Sequence, residues 1–350
     1  MRQTMHGGAK LRLLLGLVLF ALLAAAGTLW YDISRFAEAP LAVRQSPTAQ
    51  SVDIPRGSSF HAIVDTLRQR HLSSAPDWYW RVLAMRMHVT ARLHAGEYAL
   101  YPGLTPRVLL THMARGQVVQ HDFTIVDGWN FLELRAALAK APKIKHELPS
   151  LDDAQLMQRI GAGQSKPEGQ FMPETYAYIK GDTDVSILKR AYGSMQRYLN
   201  QQWAQRADDL PVKSPYQALI LASIVEKETA RPDERERIAG VFERRLDIGM
   251  PLQTDPTIIY ALGTSYDGNI HKRDLKVDSP YNTYTHPGLP PTPIAMPGKP
   301  AIHAVLHPAA GKALYFVARG DGSHVFSDTL AEHNRAVACY QLKHCAGEKR

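Results

Sequence analysis

The sequence predicts an α+β protein: an N-terminal membrane-length helix, a small α+β domain, and then a larger mixed α/β domain. Three observations carry that expectation. Leu13–Trp30 is an uncharged run of eighteen residues, strand–turn–helix patterns recur from residue 51 to about 140, and a sharply capped, largely apolar helix starts after Ser214. At 350 residues the chain has room for two cores. With 45% hydrophobic and 21% charged residues, its composition is that of a globular protein, not a disordered one. The net charge of +8 comes without a Lys/Arg block. No nucleic-acid-binding motif accompanies it, so nucleic acid is not an expected partner. Mild basicity fits an anionic polymer, a membrane surface or plain solubility equally well.

The apolar run comes first. Eighteen helical residues span about 27 Å, close to the roughly 30 Å of a bilayer's hydrocarbon core. Trp30 and Tyr31 stand where an interfacial belt belongs, and Arg2, Lys10 and Arg12 precede the run with no acidic residue among them. The positive-inside rule then leaves residues 1–10 in the cytoplasm, makes 11–31 a single transmembrane span and exports the remainder. "AAAG" at 24–27 offers small residues to a signal peptidase, but the apolar run continues through Leu29 and Trp30, which favours an anchor. Residues 32–50, with prolines and no sustained period, read as a tether.

From residue 51 the pattern changes. "VDIPRGSSFHAIVDTLRQRHL" reads as strand, turn and helix, with Ser58 or Ser59 as cap and Ile63, Val64 and Leu67 on one face. A short helix through "DWYWRVLAMRM", a strand around Tyr98, a turn at Pro102-Gly103 and a helix ending at Gly116 complete a small domain over 51–120. The larger domain, 121–350, opens with strand, turn and helix in "QHDFTIVDGWNFLELRAALAK". It continues through a mostly helical stretch, 140–212, interrupted at 167–180 by what reads as an irregular loop.

"LASIVEKETARPDE" (221–234) raises the chemical question, because two glutamates sit in an otherwise apolar helix. Ser214 suits the N-cap, Pro215 the first turn, and Gln217 completes a capping-box pattern. Leu221, Ile224, Val225 and Glu228 fall at spacings of 0, 3, 4 and 7, so Glu228 ends the apolar line. Glu226 is turned about 200° away. A glutamate on a buried line is paired, neutralised or functional. Pairing would come from Arg235, Arg237, Arg244 or Arg245 on the following helix, which stops at Gly249. Without such a partner, an apolar wall raises the pKa and makes a general acid. Two later loops, 250–263 and 279–298, are rich in Gln, Thr, Asn, Tyr and Pro, a mixture of flat faces, donors and acceptors that suits sugar rings. Gln253, Thr254, Asp255, Asn282 and Tyr284 are the candidate binding residues. No metal or cofactor is expected: "HAVLH" (303–307) has histidines four apart but lacks the zincin glutamate, and Pro308 follows. Cys339 and Cys345 are six apart, about 9 Å on a continuous helix and too far for a disulfide, so a bridge needs the helix to end before Cys345.

"PEGQFMPETY", "LASIVEKETA", "RLDIGMPLQTDPTIIYALG", "YNTYTHPGLPPTPIAMPG" and "LYFVARGDGSHVFSDTLAEHN" together resemble the MltG (YceG-like) endolytic murein transglycosylases, over about 50–335. The resemblance implies a LysM-like fold for 51–120 and a YceG-like catalytic domain for 121–350. It further implies a single-pass inner-membrane lyase with its catalytic domain on the periplasmic side, cutting peptidoglycan glycan strands, with peptidoglycan synthases as candidate partners. In the family's E-K-E-T motif the second glutamate is catalytic, and here that is Glu228. One departure is Glu174, where the family usually carries Asp. Two rivals remain: a hydrolase with Asp255 as second carboxylate, and a non-catalytic glycan-binding scaffold.

Overall fold

The computed structural model describes residues 7–44 and 49–343. Expectations about residues 1–6, part of the tether and Cys345 lie outside them. The chain divides into two units, Met1–His121 and Asp122–Arg350.

The first unit begins with helix α1 (Gly7–Glu38). Within Leu11–Glu38 an eighteen-residue window reaches mean hydropathy 2.3, and the helix is long and apolar enough to cross a membrane. Residues 32–38 were expected to begin a tether, but they are the last turns of α1. Ile33, Ala37 and Leu41, spaced by four, are all buried, and this local period is the reason the chain stays ordered here. Strand β1 (Gln50–Ile54), helices α2 (Phe60–Gln69) and α3 (Asp77–Arg86), strand β2 (Gly96–Leu100) and helix α4 (Pro106–Arg115) follow. β1 and β2 pair antiparallel with Val52 opposite Tyr98. Ser59 caps α2 by accepting from Ala62 N, and Gly116 ends α4 in the left-handed conformation at φ 63°.

The second unit is led in by strand β3 (Gln120–Thr124), followed by helices α5 (Phe131–Leu138) and α6 (Asp153–Ile160), strand β4 (Thr175–Ile179) and the long helix α7 (Asp184–Ala204). β4 lies inside the stretch read as an irregular loop. It is a strand because Tyr176 and Tyr178 alternate inward and β3 supplies its partner. Helices α8 (Pro215–Glu228), α9 (Arg235–Asp247), α10 (Asp255–Leu262) and α11 (Lys299–Leu306) come next. The hairpin β5 (Tyr315–Ala318) and β6 (His324–Ser327) and helix α12 (Leu330–Tyr340) close the unit. α10 also corrects an expectation, since 250–263 was read as loop throughout. Asp255-Pro256 supplies an acidic first turn and a proline that starts a helix as readily as it makes a bend.

α8 is the central element. Every residue from Ala218 to Val225 is buried, so it is apolar all round instead of two-faced. Ser214 accepts from Gln217 N at 3.2 Å, as a cap should. The expected capping box does not close, because the Gln217 side chain accepts from Lys213 N at 2.6 Å instead. With core on every side from Ala218 to Val225, α8 can present polar groups only at its two ends, and past Val225 lies the C-terminal one. Both glutamates are there.

Candidate active site

Glu228 is the last residue of α8, and Thr229 leaves the helix in extended conformation. The carboxyl faces a pocket of about 470 Å³ whose lining includes Gln253, Asp255, Tyr284 and Arg245. None of the four arginines expected to neutralise it does so. Arg235 Nη2 is 4.0 Å from Glu226 Oε1, and Arg237 lies over the Phe326 ring. Arg244 and Arg245 donate their Nε–H groups to the carbonyls of Ala313 (2.8 Å) and Leu314 (2.7 Å). Burial therefore dominates and pushes the Glu228 carboxyl up to about 7. A hydrogen bond donated by Thr254 Oγ1 to Glu228 Oε1 opposes the rise, the nearby Asp255 charge adds to it, and His324 and Arg245, too far for an ion pair, pull weakly against it. The helix terminus acts in the same direction, since unsatisfied carbonyls put negative partial charge beside the side chain.

Glu226 goes elsewhere, as its rotation about the helix requires. Its Oε2 accepts from Gly298 N at 3.0 Å, which ties the end of the 279–298 loop to α8. Burial raises its pKa as well, so neither a raised pKa nor burial distinguishes the two carboxyls. Both border a smaller cavity beside Asp127, but only Glu228 also reaches the larger pocket, while Glu226 is clamped to the Gly298 backbone.

The two polar loops meet at Thr283. Its carbonyl accepts from Gln253 N (3.1 Å), and its hydroxyl meets Thr254 N (3.1 Å) and the Thr257 hydroxyl (2.9 Å). Thr254, at the N-cap of α10, is thereby aimed at Glu228. Gln253 lines the pocket with its side chain exposed and its φ at 47°, a conformation that non-glycine residues rarely adopt outside constrained sites. Tyr284 donates to Asp255 Oδ1 at 2.6 Å, so both expected residues share one wall. Asn282 does not join them. It is fully buried, its amide donating to the carbonyls of Leu275 (3.2 Å) and Val277 (2.8 Å) and accepting from Tyr284 N (2.9 Å). Its role is to shape the loop that carries Tyr284. Glu174 pairs with Lys299 and does not line this pocket.

A family model described as the YceG-like family matches residues 52–339. The chain belongs to the YceG-like family. Among its relatives is the endolytic murein transglycosylase of Bacillus subtilis (strain 168), 30% identical in an alignment of 319 positions that covers 85% of this chain and 86% of that protein. The endolytic murein transglycosylase of Streptococcus pneumoniae serotype 2 (strain D39 / NCTC 7466) is 29% identical in a gapped alignment of 358 positions that covers 92% of this chain and 64% of that one. A crystal structure of a YceG-like protein from Listeria monocytogenes matches with a TM-score of 0.52 at 29% identity. It covers 83% of this chain and 100% of that one.

One wall of the YceG-like pocket was not singled out from sequence. Tyr315 and Phe316 on β5, His324 on β6 and His333 on α12 face the loops across it. His324 is fixed by Glu234, which accepts from its Nδ1 (2.7 Å) and its backbone N (3.0 Å). His333 stacks on Tyr315 at 5.2 Å. Burial holds the His333 pKa below its ordinary value, which favours the neutral ring. The signal was the two short β-prone runs around "RGDGS", a hairpin pattern that places aromatic residues on a sheet face.

Proposed function

We propose that this YceG-like chain is a membrane-anchored lytic transglycosylase that cleaves the β-1,4 bond between MurNAc and GlcNAc within peptidoglycan strands. The observation that carries the reading is Glu228: a pocket-facing carboxyl that makes no ion pair among the described residues, poised near neutrality and held by Thr254. In its protonated form it donates to the glycosidic oxygen as the C1–O bond breaks. The resulting carboxylate then takes the proton of the C6 hydroxyl on the same MurNAc, whose oxygen bonds to C1 and closes a 1,6-anhydro ring. No water enters and no second catalytic carboxylate is needed, because the nucleophile is already tethered to the reacting sugar. Gln253, Asp255 and Tyr284 position the sugar, and Thr254 orients the acid. The relatives' names support the same substrate.

The rest of the proposal follows from that assignment. The N-terminal helix anchors the enzyme in the inner membrane, with the catalytic unit on the periplasmic side. The β1-α2-α3-β2 order of the first unit supports reading it as a LysM-like, glycan-associated module that precedes the catalytic one in the chain. Cleavage of nascent strands terminates their elongation, which makes peptidoglycan synthases the natural partners. Mass spectrometry of sugar ends after digestion of uncrosslinked glycan tests the assignment. Anhydro ends are expected. Reducing ends would make the protein a hydrolase using Asp255, and no new ends would leave a glycan-binding scaffold.

A further inference from the structure

The first unit joins the apolar span of α1 without a linker, because Ile33 and Ala37, on the last turns of that helix, are already buried. This fixes which of its surfaces lies nearest the bilayer. Trp30, the last residue of the uncharged run, has the Arg86 guanidinium 3.6 Å from the centre of its ring, and Phe36 packs edge-on against Trp80 at 5.2 Å. Along each helix the two contacts are six residues apart, about 9 Å in both cases. α3 therefore runs antiparallel beside the end of α1, with its C-terminus at the level of Trp30. We propose that this C-terminus and the turn after it, Met85 to Arg92, form a docking surface for anionic phospholipid headgroups of the membrane that α1 enters. The inference rests on the anchor reading of α1 and goes beyond it, since a span alone asks nothing of the lipid's charge.

Charge and shape both fit that partner. Between Asp77 and Glu97 no residue is acidic, whereas Arg81, Arg86 and Arg92 are cationic. Asp77 stands at the opposite end of α3, bound to Arg68. Arg86 meets the Trp30 ring and the Ser34 hydroxyl (3.4 Å), and among the described residues no carboxylate pairs with it or with Arg92. Met85, one residue earlier, is 53% exposed, and His88 is exposed too. Apolar and cationic side chains level with an aromatic belt suit the interface, where rings and long cationic chains bridge hydrocarbon and phosphate. The turn is also fixed in shape. His88 takes a φ of 55°, Val89 N donates to Ala84 O at 3.0 Å, and Val89 is buried, so the helix stops by a closed motif. The headgroup layer extends roughly 5–7 Å beyond the hydrocarbon on each side, and the turn starts at that boundary. Each Arg held near an anionic bilayer strengthens the attraction about fivefold.

The test uses full-length protein in vesicles of equal parts phosphatidylglycerol and phosphatidylcholine, with a photo-crosslinking phenylalanine analogue at position 85 or, for comparison, at 101. Tyr101 is exposed and accepts from Leu104 N (3.1 Å), while Leu104 O accepts from Leu41 N (2.8 Å), past the end of α1 that is remote from Trp30. Mass spectrometry should find phospholipid adducts at 85 and not at 101, with phosphatidylglycerol favoured about fivefold or more. Arg92→Glu, at an exposed position, should cut that preference by about fivefold or more with melting temperature retained. Should Arg92→Glu melt early, raising salt from about 0.05 to about 0.5 M replaces it and should have the same effect by screening. If the protein floats with the vesicles but position 85 gives no more lipid adduct than 101, or shows no preference for the anionic lipid, the docking surface is wrong and the anchor stands. A preference that survives both the substitution and the salt also refutes it. Adducts at 85 to added glycan strands in place of lipid would make the turn a glycan contact and refute it as well. If the protein does not float with the vesicles, anchor and docking surface fall together.

Discussion

Replacing Glu228 by Gln separates a catalytic acid from a structural ion pair, and the sign of the stability change does the separating. The pKa of Glu228 rises from an ordinary 4.5 to about 7, chiefly through burial. At about 1.4 kcal/mol per tenfold change in proton affinity, that is roughly 3 kcal/mol of preference for the neutral form in the folded state. A group with a raised folded pKa favours the fold fully below its unfolded pKa and loses that contribution as pH climbs through the folded one. Wild-type protein should thus lose stability between about pH 4.5 and 7, while Glu228→Gln, neutral throughout, should not. The variant should equal wild type at pH 4 and melt higher at pH 8, by an amount bounded by that roughly 3 kcal/mol. Gln retains an oxygen to accept from Thr254, so the local geometry survives. Activity should fall by about 10² or more, since Gln neither gives nor takes the proton. Anhydro-product assays with thermal melts at pH 4 and pH 8 make the comparison. A variant that melts lower at pH 8 would mean that the carboxylate is a structural anion, and an active variant would remove Glu228 from the chemistry. Wild-type activity itself should decline above pH 7 as the acid form is depleted.

Asn282→Ala should lower the melting temperature, because it removes a buried amide's hydrogen bonds to the half-buried Leu275 and Val277 carbonyls, at about 1 kcal/mol for each bond. Gln253→Ala, at an exposed side chain, should lower turnover with little change in melting, and equal melting of the two variants would refute the distinction. Gly298→Ala puts a methyl 2.5 Å from Asp127 Oδ1 and should destabilise by about 1–3 kcal/mol as an overpacked site. Asp127→Ala should rescue it, and additivity in the double-mutant cycle would deny the clash. A C-terminal reporter active only outside the cytoplasm is expected from the charges before Leu13, and one active only inside would reverse the topology.

The parts of this protein that were legible in sequence are those where local chemistry and fold agree. Ser214 and Pro215 start α8, Gly116 stops α4, and Ser59 caps α2 because these residues satisfy helix ends by short-range bonds that no distant contact needs to supply. The extension of α1 was missed because Ile33, Ala37 and Leu41 gain order only from a partner surface, and three apolar residues in a polar stretch do not announce one. The wall of Tyr315, His324 and His333 was missed for a related reason. It lies some ninety residues from Glu228, brought there by the hairpin and by the Glu234–His324 pair.

Glu228, not Glu226, ends the line of Leu221, Ile224 and Val225, yet α8 is not a one-sided apolar helix. α8 is buried on every side, so position on an apolar line has no bearing on exposure. Rotation still matters at the helix end, where about 200° sends one carboxyl to the Gly298 backbone and the other to Thr254. Asn282 and Gln253 teach the complementary lesson. Both are amide side chains in polar loops, and sequence counts each as a potential sugar ligand. Only the packing decides which amide has its hydrogen bonds already made. Asn282 donates both N–H groups to backbone carbonyls and accepts with its oxygen, so it has little left for a ligand. By holding its loop it positions Tyr284, and Tyr284 in turn holds Asp255 beside the acid, where its charge adds to the rise in the Glu228 pKa. A binding loop therefore needs spent amides as much as free ones, and substitutions at the spent positions should appear first as lost stability.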